Sequence, residues 1–203
     1  MKLILSSCDF LNEKSKKVIL SNIPKDLKDC KVLFIPNEKA TEKEIYSDKY
    51  YKRLNKNGFT NENIYIFDEH KANEFKNLNI DILYVGGGNT FGTLKKIKDS
   101  NFDKAIIDYI NKDVIYIGGS CGAHLLTKNI EHLLSLDNNI YELENYDALG
   151  VVDFILIPHY ASNEYNPRER EELYNRLLKE NKYKVFTLTN DESLIITNKT
   201  TKK

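Results

Sequence analysis

The chain has 203 residues, enough for one domain with a sizeable core, and its 41% hydrophobic and 30% charged residues are ordinary for a soluble globular protein. Its 30 Lys and Arg residues balance 30 Asp and Glu residues, so the composition indicates neither a nucleic-acid partner nor a strongly basic one. Three cysteines without a C-x-x-C spacing, and an apolar N-terminal run too short for a signal peptide or a membrane span, favour a cytoplasmic protein with no zinc site, no disulfide framework and no membrane partner.

Short apolar runs alternate with longer amphipathic segments along the whole chain. Strands are predicted over residues 2–5, 32–35, 64–67, 82–85, 114–117, 151–157, 185–188 and 193–197. Helices are predicted over residues 41–55, 90–98, 102–111 and 168–179. The first helix has Thr41 as its candidate N-cap and Glu44 at the capping-box position.

The central strands are nearly continuous apolar runs, which is typical of a parallel sheet covered on both faces. Strands that alternate with helices indicate an α/β protein. We therefore predict a three-layer α/β/α fold with a mostly parallel central sheet, as one domain over residues 1–198 followed by a frayed tail at 199–203. Ligands of such sheets bind at the carboxyl ends of the strands, where the Gly-rich turn 86–88 and Ser120 are both expected.

The most informative segment is Gly118-Gly-Ser-Cys-Gly122, a G-x-S-x-G pattern between an apolar strand and the start of a helix. That context is the form of a nucleophile elbow, in which a sharp turn exposes the serine hydroxyl. A Gly-rich turn in which Ser120 only caps the helix is the plain alternative.

A serine nucleophile needs a general base, and His159 is the best candidate because it follows an apolar strand at the ligand-binding edge. His124 and His132 lie near the elbow helix, where a structural role is expected. The base in turn needs an orienting carboxylate. Asp191 and Glu192 are favoured because they lie in a turn between two apolar strands, with Asp137 as the third choice.

The second Gly-rich turn, Gly86-Gly-Gly-Asn-Thr90, allows two interpretations that do not exclude each other. It predicts a tight turn with Thr90 as the helix cap, and it predicts backbone N–H groups that face an oxyanion. A phosphate cradle is a weaker interpretation, because the spacing fits neither a P-loop nor a dinucleotide-binding motif.

Four segments of the chain, in this order, resemble the peptidase E family of serine peptidases, of which cyanophycinase is a relative. They are Gly-Gly-Gly-Asn-Thr-Phe91, Gly-Gly-Ser-Cys-Gly-Ala123, Ile-Pro-His-Tyr160 and Pro-Arg-Glu-Arg170. The start of the chain, through Ser7, is also similar. The resemblance implies a class I glutamine amidotransferase-like, or flavodoxin-like, fold. It implies Ser120 as the nucleophile, His159 as the base and an acidic residue near Asp191 and Glu192.

The same resemblance implies that the backbone N–H groups of Gly88 and Cys121 stabilise the oxyanion, and that no metal or organic cofactor is needed. Its implied substrates are small peptides, namely dipeptides with N-terminal aspartate. Selecting an acidic side chain requires a cation. Arg168 and Arg170 are the candidates for that cation, and Gly87 and Asn89 complete the expected substrate-binding residues.

Two other functions stay open at this point. If the motif begins one residue later, at Gly119, Cys121 takes the place of the serine and is the nucleophile of a cysteine-dependent amidase. The segment Gly119-Ser-Cys-Gly-Ala123 then has alanine where the motif has its last glycine. A non-catalytic protein that binds a small molecule on the same fold is the other function. A monomer and a homodimer are equally compatible with the sequence.

Overall fold

The computed structural model describes residues 1–197 and 200–202, the last three as backbone. The strands are β1 (Lys2–Ser6), β2 (Val32–Ile35), β3 (Ile64–Ile66), β4 (Ile82–Val85), β5 (Ile115–Gly119), β6 (Phe154–Ile157), β7 (Lys184–Thr187), β8 (Ser193–Thr197) and β9 (Thr200–Lys202). The helices are α1 (Glu13–Ser21), α2 (Glu42–Ile45), α3 (Lys49–Asn55), α4 (Ala72–Phe75), α5 (Thr90–Asp99), α6 (Asp103–Asn111), α7 (Cys121–His124) and α8 (Pro167–Glu180).

Within these residues the main sheet has seven strands in the order β3-β2-β4-β5-β1-β8-β9. The strands from β3 to β1 pair in parallel, and β8 and β9 continue the sheet in antiparallel orientation. A separate two-stranded parallel sheet joins β6 to β7. The predicted α/β fold with a mostly parallel central sheet is confirmed.

The two faces of the central sheet carry two separate hydrophobic cores, because successive side chains of a strand point to opposite faces. On one face, Leu83 and Tyr116 pack with residues of α5 and α6. On the other face, Tyr84 and Ile117 pack with residues of α1 and α3. The helices therefore cover the sheet on both sides, and α8 covers the smaller sheet through Leu173 and Leu177.

The predicted helix over residues 41–55 is two helices in the structure, α2 and α3. Thr41 and Glu44 form the predicted capping box at the start of α2. Ser47 ends the first helix, because its hydroxyl donates to the Glu44 carbonyl at 2.8 Å and accepts from the Lys49 N–H at 3.2 Å. Local side-chain hydrogen bonds of this kind compete with the helical ones.

Two predictions near the end of the chain also differ from the structure. The predicted strand 151–157 begins only at Phe154, because the N–H groups of Val151 and Val152 both donate to the Leu126 carbonyl instead of a strand. Where the sequence predicts a frayed tail over 199–203, Thr200–Lys202 pairs with β8 as β9. Residues 199 and 203 lie outside the described residues.

The parallel register aligns the carboxyl ends of the central strands at one edge. Ser6 at the end of β1 lies opposite Gly119 at the end of β5, and Val85 at the end of β4 lies opposite Gly118. The loops that leave these three strands therefore meet, and they form part of the candidate site. No helix in the described residues is both long and apolar enough to cross a membrane.

Candidate active site

Ser120 lies at a strained turn between β5 and α7. Its backbone has φ 47° and ψ −103°, a conformation that residues with a Cβ rarely adopt. Such backbone strain costs on the order of 1–3 kcal/mol and is concentrated at functional sites. The Ser120 N–H donates to the Ser6 carbonyl at 2.8 Å, which ties the turn to the end of β1. The structure thus has the strand–turn–helix form of a nucleophile elbow.

The glycines around Ser120 are required by close backbone contacts. A Cβ on Gly122 would lie 2.3 Å from the Val85 carbonyl oxygen of the neighbouring strand. A Cβ on Gly118 would lie 2.7 Å from the Gly122 carbonyl oxygen, across the turn. The Val85 carbonyl cannot move without displacing β4, nor the Gly122 carbonyl without displacing α7, so the elbow can form only with glycine at both positions.

His159 contacts the serine hydroxyl, with 3.1 Å between its Nε2 and Ser120 Oγ. The residue follows β6 and has a positive φ of 57°. Its N–H donates to Ser7 Oγ at 2.9 Å, and the Ser7 hydroxyl in turn donates to the Leu188 carbonyl at 3.1 Å. These bonds connect the ends of β1, β6 and β7, and they hold the histidine backbone in its unusual conformation.

The second nitrogen of the His159 ring contacts an amide and not a carboxylate. His159 Nδ1 lies 2.8 Å from Asn190 Oδ1, and Asn190 Nδ2 donates to Ser162 Oγ at 3.1 Å. Because the amide nitrogen of Asn190 donates to Ser162, the amide oxygen is the atom that faces His159, and it accepts the proton of Nδ1. Nε2 is then unprotonated and can accept the proton of the Ser120 hydroxyl.

The predicted acidic residues are placed elsewhere, which corrects the sequence-based assignment. The Asp191 carboxylate contacts Asn12 Nδ2 at 3.0 Å and Lys14 Nζ at 2.6 Å, on the protein surface. The Glu192 carboxylate accepts the Thr189 N–H at 2.9 Å. Asp137 accepts weakly from the N–H and hydroxyl of Thr90, at 3.5 and 3.4 Å. Asn190 thus takes the position expected for an acid.

An aromatic side chain covers the histidine from the other side. The rings of His159 and Tyr165 stack with centroids 3.8 Å apart and 11° between their planes. The Arg170 guanidinium lies 5.5 Å from the centroid of the Tyr165 ring and donates to the backbone carbonyls of Pro158 and Tyr165. The loop between β6 and α8 therefore fixes both the ring orientation of His159 and the position of Arg170.

The surroundings of His159 favour its neutral form. Burial of the ring lowers its pKa, and the positive charge of Arg170 lowers the pKa further, while the hydrogen bond to Asn190 acts in the opposite direction. The net direction is a pKa below the ordinary value of 6.5. A histidine that is neutral over a wider pH range is suited to act as a general base.

A cavity of about 320 Å³ opens over Ser120 and His159. Its lining includes Gly87, Gly88, Asp137 and Arg170. The Cα of Gly87 faces the serine, since a Cβ there would lie 3.8 Å from Ser120 Cβ. Among the described residues, none accepts a hydrogen bond from the N–H of Gly88 or of Cys121. Both groups remain available to an oxyanion next to Ser120.

Cys121 lies next to the serine, but its thiol belongs to the core. The side chain is 1% exposed and packs within the hydrophobic cluster under α5. Burial raises the pKa of the thiol to about 12, so the reactive thiolate is not formed near neutral pH. The hydroxyl at position 120, and not the sulfur at position 121, is the group that contacts His159.

The expected substrate-binding residues divide into two groups. Gly87 and Arg170 line the cavity. Arg168 does not, because its side chain is 86% exposed and pairs with Glu172 at 2.8 Å. Asn89 serves as the N-cap of α5, accepting from the Gly92 N–H at 3.0 Å and donating to the Asn138 carbonyl at 2.9 Å. Neither Arg168 nor Asn89 lines the cavity.

Sequence reasoning missed three residues that the structure brings to His159. Ser7 holds its backbone, Asn190 binds its ring and Tyr165 stacks on it. Each lies in a loop at the carboxyl end of a strand or just beyond, so a search of all polar residues at that edge would have found them. In the part of the chain that the structure describes, no group of three or more His, Cys, Asp or Glu residues is arranged to hold a metal ion.

A strained serine that contacts a histidine at the carboxyl edge of a parallel sheet is an arrangement found in hydrolases. The comparison with protein families narrows this class, because the model of Peptidase family S51 matches residues 2–203. The chain belongs to Peptidase family S51 and is a peptidase by that membership.

Individual relatives agree with this assignment. An uncharacterised peptidase of Listeria monocytogenes is 30% identical over 198 residues, covering 94% of both chains. Peptidase E of Escherichia coli is 33% identical over 84 residues, covering 41% of this chain and 36% of the relative. A crystal structure assigned to peptidase E from Listeria monocytogenes has a TM-score of 0.75 at 27% identity, covering 98% of this chain and 96% of that one. The structure of a peptidase from an acI-B1 Actinobacterium, with a TM-score of 0.68 at 17% identity, shares the fold.

Proposed function

We propose that this protein is a serine peptidase that hydrolyses short peptides, with dipeptides carrying N-terminal aspartate as its substrates. The observation that carries the proposal is the 3.1 Å contact between Ser120 Oγ and His159 Nε2 at a strained elbow. Membership of Peptidase family S51 and the relatives named peptidase E support the peptidase activity.

The chemistry follows from the geometry. Ser120 Oγ attacks the carbonyl carbon of the peptide bond while His159 Nε2 takes the hydroxyl proton. The N–H groups of Gly88 and Cys121 donate to the oxygen that becomes negatively charged. The protonated His159 then gives its proton to the leaving amine, and water, activated by the same histidine, hydrolyses the acyl-enzyme. Asn190 keeps the imidazole in the required tautomer throughout.

The charges of the cavity support the proposed substrate. Arg170 and Asp137 both line it, and each charge affects the pKa of the other group. A dipeptide with N-terminal aspartate carries an ammonium group and a side-chain carboxylate on the same residue. Asp137 suits the ammonium group and Arg170 suits the carboxylate, so one bound residue satisfies both.

The two other functions receive less support from the geometry. An amidase that uses Cys121 needs a thiolate beside a histidine, whereas this thiol is buried in the core with a raised pKa. A protein that only binds its ligand has no need for a strained serine in contact with a histidine. The serine peptidase accounts for both features.

A fluorophosphonate probe tests the proposal directly, because it modifies a serine only when a base activates the hydroxyl. We expect stoichiometric labelling of Ser120, identified by peptide mass spectrometry, and hydrolysis of aspartyl dipeptides in a screen with varied first residues. Asparaginyl dipeptides, which differ by one charge, are the matched control. Absence of labelling together with absence of hydrolysis would contradict the serine peptidase and favour the binding function.

The pH profile gives a second test. We expect kcat/KM to fall on acidification with an apparent pKa below 6.5, because kcat/KM reports the essential base of the free enzyme and the environment of His159 lowers its pKa. The sign follows from the mechanism, since only the neutral imidazole accepts the serine proton. Steady-state kinetics in a series of buffers at constant ionic strength would measure the value. An acid limb at or above 6.5 would contradict the assignment of His159 as the base.

A further inference from the structure

Glu38 is a half-buried carboxylate that the proposed mechanism does not use. It lies in the loop between β2 and α2. Its Oε2 accepts the Asn89 N–H at 3.0 Å, and its Oε1 accepts the Tyr141 hydroxyl at 3.2 Å. One side chain therefore joins the loop after β2 to the Gly-rich turn after β4 and to the segment between α7 and β6.

The Gly-rich turn lies between this carboxylate and the nucleophile. A Cβ on Gly88 would lie 2.6 Å from Glu38 Oε2 and 2.7 Å from Asn37 Cβ, so the loop after β2 packs directly against the turn. A Cβ on Gly87 would lie 3.8 Å from Ser120 Cβ. The peptide that joins the two glycines carries the proposed oxyanion donor, the Gly88 N–H. Its Gly87 end therefore faces Ser120, and its Gly88 end faces Glu38.

The peptide between Gly87 and Gly88 has no hydrogen bond of its own in the part of the chain that the structure describes. Neither its N–H, on Gly88, nor its carbonyl, on Gly87, has a partner there. Two successive glycines allow more backbone conformations than other residues, so such a peptide does not keep one orientation by itself. The next peptide along the chain is held, because its N–H, on Asn89, donates to Glu38. The orientation of the Gly88 N–H therefore depends on the Glu38 carboxylate.

We propose that Glu38 is a positioning residue, which holds the Gly-rich turn so that the Gly88 N–H faces the oxyanion formed next to Ser120. The inference rests on the proposed function, because that oxyanion forms in the proposed reaction. A donor that is already aligned stabilises the oxyanion without the cost of reorienting during the reaction. Glu38 acts here as a hydrogen-bond acceptor, whereas its negative charge opposes the oxyanion. That charge reaches the cavity, since it adds to the burial that raises the pKa of Asp137.

Two substitutions of Glu38 separate the acceptor from the charge. Glu38→Met keeps the length of the side chain but leaves only a weak acceptor. We expect its kcat for the dipeptide Asp-Leu to fall about 10-fold, less than the loss from removing an oxyanion donor outright, with little change in KM, because the oxyanion develops only in the transition state. Glu38→Gln keeps an amide oxygen for the Asn89 N–H and an amide nitrogen for the Tyr141 hydroxyl, without the opposing charge. We expect its kcat to equal or exceed the wild-type value.

Glu42→Ala is the matched control, because Glu42 is an exposed carboxylate at the start of α2, close to Glu38 in the sequence. We expect this variant to keep the wild-type kcat and KM, and thermal unfolding of every variant shows whether the fold is intact. If Glu38→Met and Glu38→Gln lower kcat equally, the hydrogen-bond acceptor has no role and the proposal is overturned. A rise in KM without a fall in kcat would also overturn it, since Glu38 would then affect binding of the ground state.

The rate of fluorophosphonate labelling at Ser120 separates the role of Glu38 from the choice of substrate. The phosphoryl oxygen of the probe takes the position of the oxyanion, so the labelling rate measures the donors without a peptide. We expect Glu38→Met to be labelled about 10-fold more slowly than the wild type and Glu38→Gln at about the wild-type rate.

The labelling rates also distinguish failure of this proposal from failure of the proposed function. If the wild type is labelled but does not hydrolyse Asp-Leu, the proposed substrate is wrong, and slower labelling of Glu38→Met alone would still support the role of Glu38. Equal labelling of Glu38→Met and the wild type would overturn that role while the peptidase proposal stands. A wild type that is not labelled would contradict both.

Discussion

Replacing Ser120 with alanine is expected to lower kcat for an aspartyl dipeptide by about 10⁴-fold or more, as removal of the nucleophile does in serine hydrolases. The reason is geometric, because Ser120 Oγ is the only nucleophilic atom among the described residues that the structure places in hydrogen-bond contact with His159 Nε2. Cys121→Ala is expected to keep most of the activity. The oxyanion donor proposed at that position is a backbone N–H, which alanine also provides.

Purified Ser120→Ala and Cys121→Ala proteins, assayed side by side with the wild type, separate the two nucleophiles. Thermal unfolding of each variant checks that the fold is intact, which matters for Cys121 because its side chain is 1% exposed within the core. Inhibition by a thiol-alkylating reagent gives an independent measurement. An inactive Cys121→Ala protein that unfolds like the wild type, beside an active Ser120→Ala protein, would establish Cys121 as the nucleophile.

The sequence predicts those features of the structure that depend on residues close together in the chain. Strands β2, β4 and β8 have their predicted bounds, because each is an apolar run that ends at a turn signal. The elbow was predictable for the same reason, since its glycines, its strand and its helix are contiguous in the chain. The place of His159 followed from the general rule that the carboxyl ends of parallel strands form the ligand-binding edge.

The residues that surround His159 could not be predicted in this way. The bond between Ser7 Oγ and the His159 N–H joins residues 152 positions apart, and no local pattern predicts it. The sequence predicts a carboxylate as the group that orients the imidazole, although an amide oxygen can also accept the Nδ1 proton. Within the turn 190–192, Asn190 faces the ring whereas Asp191 faces Lys14, and side-chain directions in a turn depend on backbone angles that the sequence does not specify.

Asn190→Ala is expected to lower kcat about 100-fold, an intermediate effect because the serine, the histidine and the oxyanion donors remain. Without Asn190 Oδ1, the contact left to His159 Nδ1 among the described residues is the Cys8 sulfur at 4.0 Å, a weak acceptor, so the ring more often populates the tautomer that cannot accept the Ser120 proton. Asp191→Asn is the matched control, because this neighbouring carboxylate contacts Lys14 and Asn12 and should leave kcat unchanged. If Asp191→Asn is impaired and Asn190→Ala is active, Asp191 is the group that orients His159, as the sequence predicts.

Asn190→Asp distinguishes an orienting role from an electrostatic one. A carboxylate beside the imidazole favours its charged form, so the pKa of His159 should rise and the acid limb of kcat/KM should move up by about 1 pH unit or more. At low pH the variant is therefore less active than the wild type, since more of its histidine is protonated. Above the acid limb, the new charge stabilises the imidazolium that forms during attack, and kcat is expected to equal or exceed the wild-type value. An unchanged acid limb would mean that residue 190 does not contact the histidine in solution, and the amide would then have no part in the catalytic site.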